Sequence, residues 1–199
     1  MAESIHPTSL HPPTVVPSSN EFPHPSQIPS YRSRWFVVPK KDGGLRIVWN
    51  LEPLNEITIR DSGVPPVIDE VIEDFAGFVI YSLGDIYIGY DHRLIDVKSR
   101  DLTTVQTPLG PYRLTTLPMG WTNAVTTFHQ DVMFILQDEV PHVAQPFIDD
   151  VAIKGPKTYY KKEDGSYETI PNNTKIRRFV YEHICDVNRI LHRLKHANC

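Results

Sequence analysis

Two adjacent aspartates between two short apolar runs constrain the fold of this chain more than any other feature. Asp149 and Asp150 lie between a run that ends at Ile148 and a run that begins at Val151. Flanking apolar strands make a pair of like charges costly, because the carboxylates repel each other and lose hydration. The pattern predicts a strand, a tight turn that carries the acids and a second strand. Aspartate is common in turns, so the doublet alone does not indicate a functional site.

A third acid, Asp85, follows another apolar run at residues 78–83, for which we predict a buried strand. If the two strand ends lie side by side, Asp85 and Asp149 can share a pair of hard cations. Oxygen ligands suit Mg²⁺, which binds a few carboxylates together with substrate phosphates. Two such ions about 4 Å apart can hold both the attacking and the leaving oxygen of a phosphoryl displacement. The three acids together with a basic hairpin at residues 40–46 are more specific than any acid alone.

The other apolar patterns predict hairpins that alternate with helices, which is typical of an α+β fold. The predicted order is a hairpin around residues 40–44, a helix over 65–75, the strand over 78–83, a hairpin over 103–117, a helix over 125–136, the acidic turn, a surface loop or small hairpin over 154–173, and a helix over 174–196. The predicted apolar stripe of the last helix is Ile176, Val180, Ile184, Val187, Leu191 and Leu194.

Composition limits the class of protein. The 199 residues allow one sizeable domain or part of a larger protein, and the formal charge of −4 means that nucleic-acid binding would need local basic patches. The two cysteines exclude a disulfide framework, and we predict that Cys185 is a small core residue. Without a secretory signal or a membrane span, we expect an intracellular, non-secreted protein with no membrane partner. Residues 1–30 contain seven prolines and six serines, which predicts a disordered leader.

The last helix has two further features with simple interpretations. His192 and His196 have a spacing that could hold zinc, but no acidic third ligand lies nearby in the sequence. Its basic residues favour a solvated face, with contact to a template backbone as the alternative. These basic residues are Arg177, Arg178, Arg189, Arg193 and Lys195.

Several motifs in this order resemble those of reverse transcriptases. Residues 117–124 (LPMGWTNA), followed by Phe128, resemble the motif that joins a strand to a palm helix, and residues 147–150 (FIDD) resemble the aromatic-x-Asp-Asp turn. Asp85 with residues 89–90 (GY) resembles the first catalytic aspartate and the nucleotide-binding aromatic. Residues 40–46 (KKDGGLR) resemble the fingers hairpin, and residues 54–55 (LN) the Leu-Asn that follows it. The match extends over about residues 31–198 and is closest to the polymerase of gypsy-class LTR retrotransposons, particularly the fungal type.

The resemblance implies a right-hand polymerase fold, with fingers and an antiparallel palm sheet backed by helices. Residues 31–199 would be the fingers and palm, incomplete at the C-terminus and without the thumb and RNase H regions. Asp85 and Asp149 would ligate two Mg²⁺ ions with the help of Asp150, and Ile86 would offer its backbone carbonyl to a metal ion. These four residues are the candidate metal ligands. The three aspartates are also the catalytic candidates, and Ile86 is also a nucleotide-binding candidate.

The resemblance also implies a set of nucleotide-binding residues. Lys40 or Lys41, together with Arg46, would grip the incoming triphosphate, because fixed cations stabilise the charge that builds up during transfer. Tyr90 would lie under the deoxyribose and exclude a 2′-hydroxyl, and Met119 would lie near the nucleotide. The simpler interpretation of Tyr90 is a core tyrosine, and that of Met119 is a filler of the core.

The implied function is RNA-directed DNA polymerisation, in which a primer 3′-hydroxyl attacks the α-phosphate of a dNTP. The implied partners are an RNA or DNA template with its primer, the dNTP and the rest of a Pol polyprotein. One alternative is a catalytically inactive nucleic-acid-binding remnant of a retrotransposon polyprotein. Another is a non-enzymatic α+β domain whose acids bind only Ca²⁺.

Overall fold

The computed structural model of the chain describes residues 16–17, 32–41, 43–63 and 67–197. The chain divides into two compact units, one formed by Met1–Ser62 with Ile88–Val125 and the other by Gly63–Tyr87 with Thr126–Cys199. The predicted leader lies outside the described residues except for Val16–Pro17, which forms strand β1. Each unit therefore combines two stretches that are separated along the sequence.

The first unit contains two small antiparallel sheets. Strands β2 (Arg34–Pro39) and β3 (Leu45–Asn50) form one hairpin, in which Gly43 adopts the left-handed backbone (φ 84°) that a tight turn requires. The second sheet has the order β1-β6-β5, with β5 at Val105–Thr107 and β6 at Gly110–Arg113. Both predicted hairpins are confirmed.

Three short helical segments of the first unit were not evident from the apolar pattern. They are α1 (Glu52–Ile57), α3 (Gly89–His92) and a 3₁₀ helix at Val97–Thr103. Each has at most seven residues, which is too short for an apolar periodicity to emerge. The buried apolar side chains of this unit are Leu51, Leu54, Val105, Leu114, Leu117 and Ala124.

The second unit is built on a three-stranded antiparallel sheet in the order β4-β8-β7. Strand β4 spans Tyr81–Asp85, β7 spans Ala144–Phe147 and β8 spans Asp150–Lys154. The predicted strand–turn–strand around the acidic doublet is confirmed. The prediction of a buried strand over residues 78–83 was wrong, because β4 starts later and lies at the sheet edge, with Tyr81 66% and Leu83 69% exposed.

The helices of the second unit partly match the prediction. Helix α2 (Ile68–Asp74) confirms the helix predicted there, and residues 64–66, which include its two prolines, lie outside the described residues. Helix α4 (Ala124–Ile135) confirms the helix predicted over residues 125–136. Its first two residues belong to the first unit. Helix α5 spans Arg178–His196, and the residues before it form β9 (Thr169–Ile170) and β10 (Asn173–Arg177) rather than its first turn.

The buried face of α5 shares Leu194 with the predicted apolar stripe and otherwise differs from it. Phe179, His183, Ile190 and Leu194 are buried, whereas Ile184 is 56% and Leu191 is 55% exposed. Apolar residues occur on more than one side of this helix, so spacing alone did not identify the side that packs. Cys185 is exposed, which corrects the prediction of a core cysteine.

The arginines of α5 are paired rather than simply solvated. Arg189 binds Glu139 through Nε at 2.8 Å, and Arg193 binds Asp138 through Nη1 at 2.9 Å. Arg178 contacts both Glu168 and Glu182 at 2.9 Å. The partners come from distant segments as well as from the helix itself, and the sequence pattern did not indicate them. No helix in the described part of the chain is both long and apolar enough to cross a membrane.

Candidate active site

Strands β4 and β8 bring the first acid and the acidic doublet together. The antiparallel register pairs Asp85 directly with Asp150, and the Ile86 backbone N–H donates to the Asp149 carbonyl oxygen at 2.9 Å. Directly opposed residues of an antiparallel pair point to the same face, with Cβ atoms about 4.5–5.5 Å apart. Residues 64 positions apart in sequence (85 and 149) are thus held at one end of one sheet.

The turn that carries the doublet has an unusual backbone. Phe147 pairs with Asp150, so Ile148 and Asp149 form a two-residue hairpin loop. Ile148 has φ 61°, in the left-handed region that a β-branched residue seldom adopts. Such a conformation costs of order 1–3 kcal/mol and persists only where the surroundings enforce it. The turn therefore holds the acids in place at a cost in the stability of the folded protein.

Within the described residues, the three carboxylates lack neutralising partners. Asp85 and Asp149 are exposed and Asp150 is half-buried, and none of the three side-chain carboxylates has a hydrogen bond or salt bridge to another described residue. Closely placed like charges without counter-charges favour binding of a cation.

The carboxylates do not form a complete cage for a metal ion. No group of three or more His, Cys, Asp or Glu side chains in the described segments converges on one metal position. Mg²⁺ commonly binds one or two protein carboxylates and completes its octahedron with water and substrate phosphates. The residues present fit a magnesium site that substrate completes.

Buried neighbours fix the backbone beneath the acids. Ile86 is 8% exposed and Val151 is 1% exposed, so the residues that follow Asp85 and Asp150 in the sequence both lie in the core. Gly84 stands opposite Val151, and a Cβ at Gly84 would lie 3.8 Å from the Val151 carbonyl oxygen. That distance is an ordinary contact, so the sheet does not require glycine at this position.

The basic candidates lie on the β2–β3 hairpin of the first unit. Lys40, Lys41 and Arg46 are exposed, and none of them has an acidic partner among the residues that the structure describes. The Lys40 N–H donates to the Gly44 carbonyl oxygen at 2.7 Å and closes the turn. The hairpin thus presents three cations, at its tip and on its second strand, that are unpaired among the described residues.

The two remaining candidates also belong to the first unit. Tyr90 is half-buried and is the second residue of α3, a helix that begins directly after Ile88, whose backbone is left-handed (φ 55°). Met119 is 62% exposed, so its interpretation as a core filler was wrong.

Two asparagines that sequence reasoning did not assign hold the segment around Met119. The Asn55 side chain donates to the Gly120 carbonyl oxygen at 2.9 Å and accepts the Thr122 N–H at 2.8 Å. Asn123 donates to the Ile59 carbonyl oxygen at 2.9 Å and accepts the Asp61 N–H at 3.0 Å. Asparagine's combined donor and acceptor could have suggested this role, but the partners are over 60 positions apart.

Among the residues that the structure describes, the histidine pair of α5 belongs to no larger metal cluster. The Nε2 atoms of His192 and His196 lie 3.1 Å apart on the exposed side of the last turn. Within the described ranges no third ligand joins them.

Comparisons with known proteins relate the chain to parts of larger polyproteins. It is 27% identical over 134 residues to a retrovirus-related Pol polyprotein from transposon 412 of Drosophila melanogaster, covering 64% of the chain and 11% of that protein. It is 32% identical over 115 residues to the enzymatic polyprotein of Cauliflower mosaic virus (strain D/H), covering 55% of the chain and 17% of that protein. No protein-family model matches the chain.

The fold is also found in solved structures. A foamy viral protease-reverse transcriptase in complex with double-stranded DNA superposes with a TM-score of 0.66 and 20% identity, covering 83% of this chain and 25% of that chain. The fold predicted from the motifs, α+β and of the reverse-transcriptase kind, is confirmed. The chain spans between a tenth and a fifth of the length of the polyproteins that it matches.

Proposed function

We propose that this chain, a homologue of transposon and viral Pol polyproteins with the fold of reverse transcriptase, is an RNA-directed DNA polymerase domain. The observation that carries the proposal is the register of β4 and β8, which sets Asp85 opposite Asp150 and beside Asp149. The reaction would transfer a nucleotide from a dNTP to the 3′-hydroxyl of a primer. We also propose that the chain comes from a gypsy-class LTR retrotransposon of the fungal type.

The acids of the second unit would form the metal-binding part of the site. Asp85 and Asp149 would hold two Mg²⁺ ions, with Asp150 beside them and the Ile86 carbonyl as a further oxygen ligand. When bound, the two ions would activate the primer hydroxyl and neutralise charge on the leaving pyrophosphate. The carboxylates are suited to this role because they are exposed, adjacent and unpaired within the described residues.

The first unit would supply the groups that recognise the nucleotide. Lys40, Lys41 and Arg46 would bind the triphosphate, since these exposed cations have no acidic partner among the described residues and are available to phosphate oxygens. Tyr90 would lie under the deoxyribose and exclude a 2′-hydroxyl, and Met119 would lie near the nucleotide. Asn55 would hold the Met119 segment in place through its two backbone hydrogen bonds.

The partners would be those of a template-directed polymerase. The foamy viral protein that shares the fold was solved with double-stranded DNA, and a related structure with an RNA/DNA hybrid. By analogy, an RNA or DNA template with its primer would bind here, and the rest of a Pol polyprotein would act with this segment.

Primer extension tests the proposal. The chain is incubated with a poly(rA) template, an oligo(dT) primer, dTTP and Mg²⁺, and the Asp149→Asn variant is compared with the wild type. We expect extension by the wild type and a loss of at least about a hundredfold in the variant, since the carboxylate charge is removed from the metal site. Asp164→Asn is the matched control, because Asp164 is an exposed acid in a turn outside the β4-β8-β7 sheet, and Ser166 is its one hydrogen-bond partner among the described residues.

Three other outcomes would each contradict the proposal. Extension that survives Asp149→Asn contradicts the assignment of the acids. Template binding without extension supports the inactive nucleic-acid-binding remnant. Ca²⁺ binding without Mg²⁺-dependent nucleotide affinity supports the non-enzymatic domain.

A further inference from the structure

Strand β4, which carries Asp85, has little apolar surface with which to dock. Its outward face carries Tyr81 and Leu83, which are 66% and 69% exposed, and its inward face carries Ser82 and Gly84. In the described part of the chain β8 is the one strand that pairs with it. Hydrogen bonds to β8 and a few inward contacts therefore have to hold the strand.

A buried histidine of α5 supplies one of these inward contacts. His183 is 3% exposed, and its Nε2 lies 2.7 Å from the Ser82 hydroxyl oxygen. The other ring nitrogen, Nδ1, is buried and has no hydrogen-bond partner among the described residues. Among the described residues, the hydrogen bond to Ser82 is therefore the one hydrogen bond of the His183 ring. Losing one partner of a buried hydrogen bond leaves the other unsatisfied, which is costly.

The backbone next to this bond is closely packed. The Gly155 N–H donates to the Ile80 carbonyl oxygen at 3.0 Å, and a Cβ at Gly155 would lie 2.6 Å from that oxygen and 3.2 Å from His183 Nδ1. The His183 ring is therefore packed tightly against the backbone at the start of β4 and at the end of β8. This packing leaves the ring little room to turn away from Ser82.

We propose that His183 is a positioning residue that, through Ser82, fixes where β4 lies on α5 and so aligns Asp85 with Asp150. Ser82 precedes Asp85 by three residues, or about 10 Å along an extended strand. A displacement of 1 Å at a reacting group can cost about a hundredfold in rate. The inference rests on the proposed function of the acids, but the placement of β4 can be measured without activity.

A double variant separates positioning from stability. Ser82→Ala/His183→Leu removes both polar partners and keeps the buried volume similar, so its stability should approach that of the wild type. Ser82→Ala alone leaves the His183 ring unsatisfied and should be less stable. We expect kcat for primer extension to fall at least about tenfold in both variants, with the KM for dNTP unchanged within about twofold. His183→Gln, whose amide can reach the hydroxyl, should recover part of the rate.

The Ile86 amide reports on the strand directly. It donates to the Asp149 carbonyl oxygen, so its hydrogen exchange follows the alignment of the two acid-bearing segments. We expect exchange at Ile86 to be at least about tenfold faster in the double variant, although its melting temperature is close to that of the wild type. Ile190→Val, in the buried face of the same helix, is the control; it should lower stability and leave Ile86 exchange and kcat unchanged.

The outcomes distinguish this inference from the proposed function. A double variant with wild-type kcat and wild-type exchange at Ile86 overturns the positioning role. If the wild type shows no Asp149-dependent extension, the proposed function fails, and exchange at Ile86 alone decides whether His183 positions β4. Loss of kcat in proportion to stability in every variant, including Ile190→Val, also overturns the inference.

Discussion

Single residues show two contrasting ways in which this chain uses carboxylates. Asp85, Asp149 and Asp150 stand together without counter-charges in the described residues, although this arrangement costs free energy. Glu139 is instead buried, with 5% exposure, and its carboxylate binds two arginines, Arg189 at 2.8 Å and Arg193 at 3.2 Å. The first arrangement suits a cation-binding site, and the second suits a structural anchor for α5.

The pH dependence of stability should report on Glu139. Hydrogen bonds from Arg189 lower the pKa of Glu139 in the folded protein, against the opposing effect of burial. Because the folded pKa lies below the unfolded pKa, this stabilisation is complete above the unfolded value of about 4.3. It is lost as the pH falls through the lowered folded pKa.

Chemical denaturation of the wild type and Glu139→Gln at pH 7 and pH 3 checks this prediction. We expect the variant to be about 1–3 kcal/mol less stable at pH 7, as for loss of a charged hydrogen bond, and the difference to shrink at pH 3. Asp138→Asn, which removes an exposed partner of Arg193, should change stability by less than about 1 kcal/mol. A constant difference across the pH range would contradict the linkage.

At the scale of secondary-structure elements, short sequence patterns were enough to predict the hairpins and the acidic turn. The hairpins around Gly43 and Gly110 and the turn at Asp149 follow from short apolar runs next to turn residues, and all three are observed. The buried side of α5 was not predictable, because apolar residues lie on several sides of that helix. The edge position of β4 was not predictable either, because it depends on pairing with β8, which is distant in the sequence.

Two glycines of the second unit should respond differently to alanine. Gly155→Ala would place a Cβ 2.5 Å from Ile80 Cγ2 and 2.6 Å from the Ile80 carbonyl oxygen, so the backbone of β4 has to shift. We expect a loss of about 1–3 kcal/mol in the free energy of unfolding. Gly84→Ala meets only an ordinary contact and should leave stability unchanged or raise it by about 0.5–1 kcal/mol. Equal effects of the two substitutions in urea denaturation would contradict this picture of the β4–β8 contact.

At the scale of the whole molecule, the candidate groups are divided between two units. The acids lie in the unit formed by Gly63–Tyr87 with Thr126–Cys199, and the basic hairpin, Tyr90 and Met119 lie in the other. The order of the motifs along the sequence was enough to predict the kind of fold. It could not indicate the contacts that stabilise each unit, such as the bond between Ser82 and His183, whose positions are 101 residues apart.

Anomalous scattering from Mn²⁺ in crystals of the chain with primer–template and a non-hydrolysable dNTP tests the central claim most directly. We expect two peaks about 4 Å apart, with the carboxylates of Asp85 and Asp149 as protein ligands. The Asp85→Asn variant should lose at least one of the peaks. Mn²⁺ bound only elsewhere, or two peaks that persist unchanged in Asp85→Asn, would contradict the claim that these acids form the metal site.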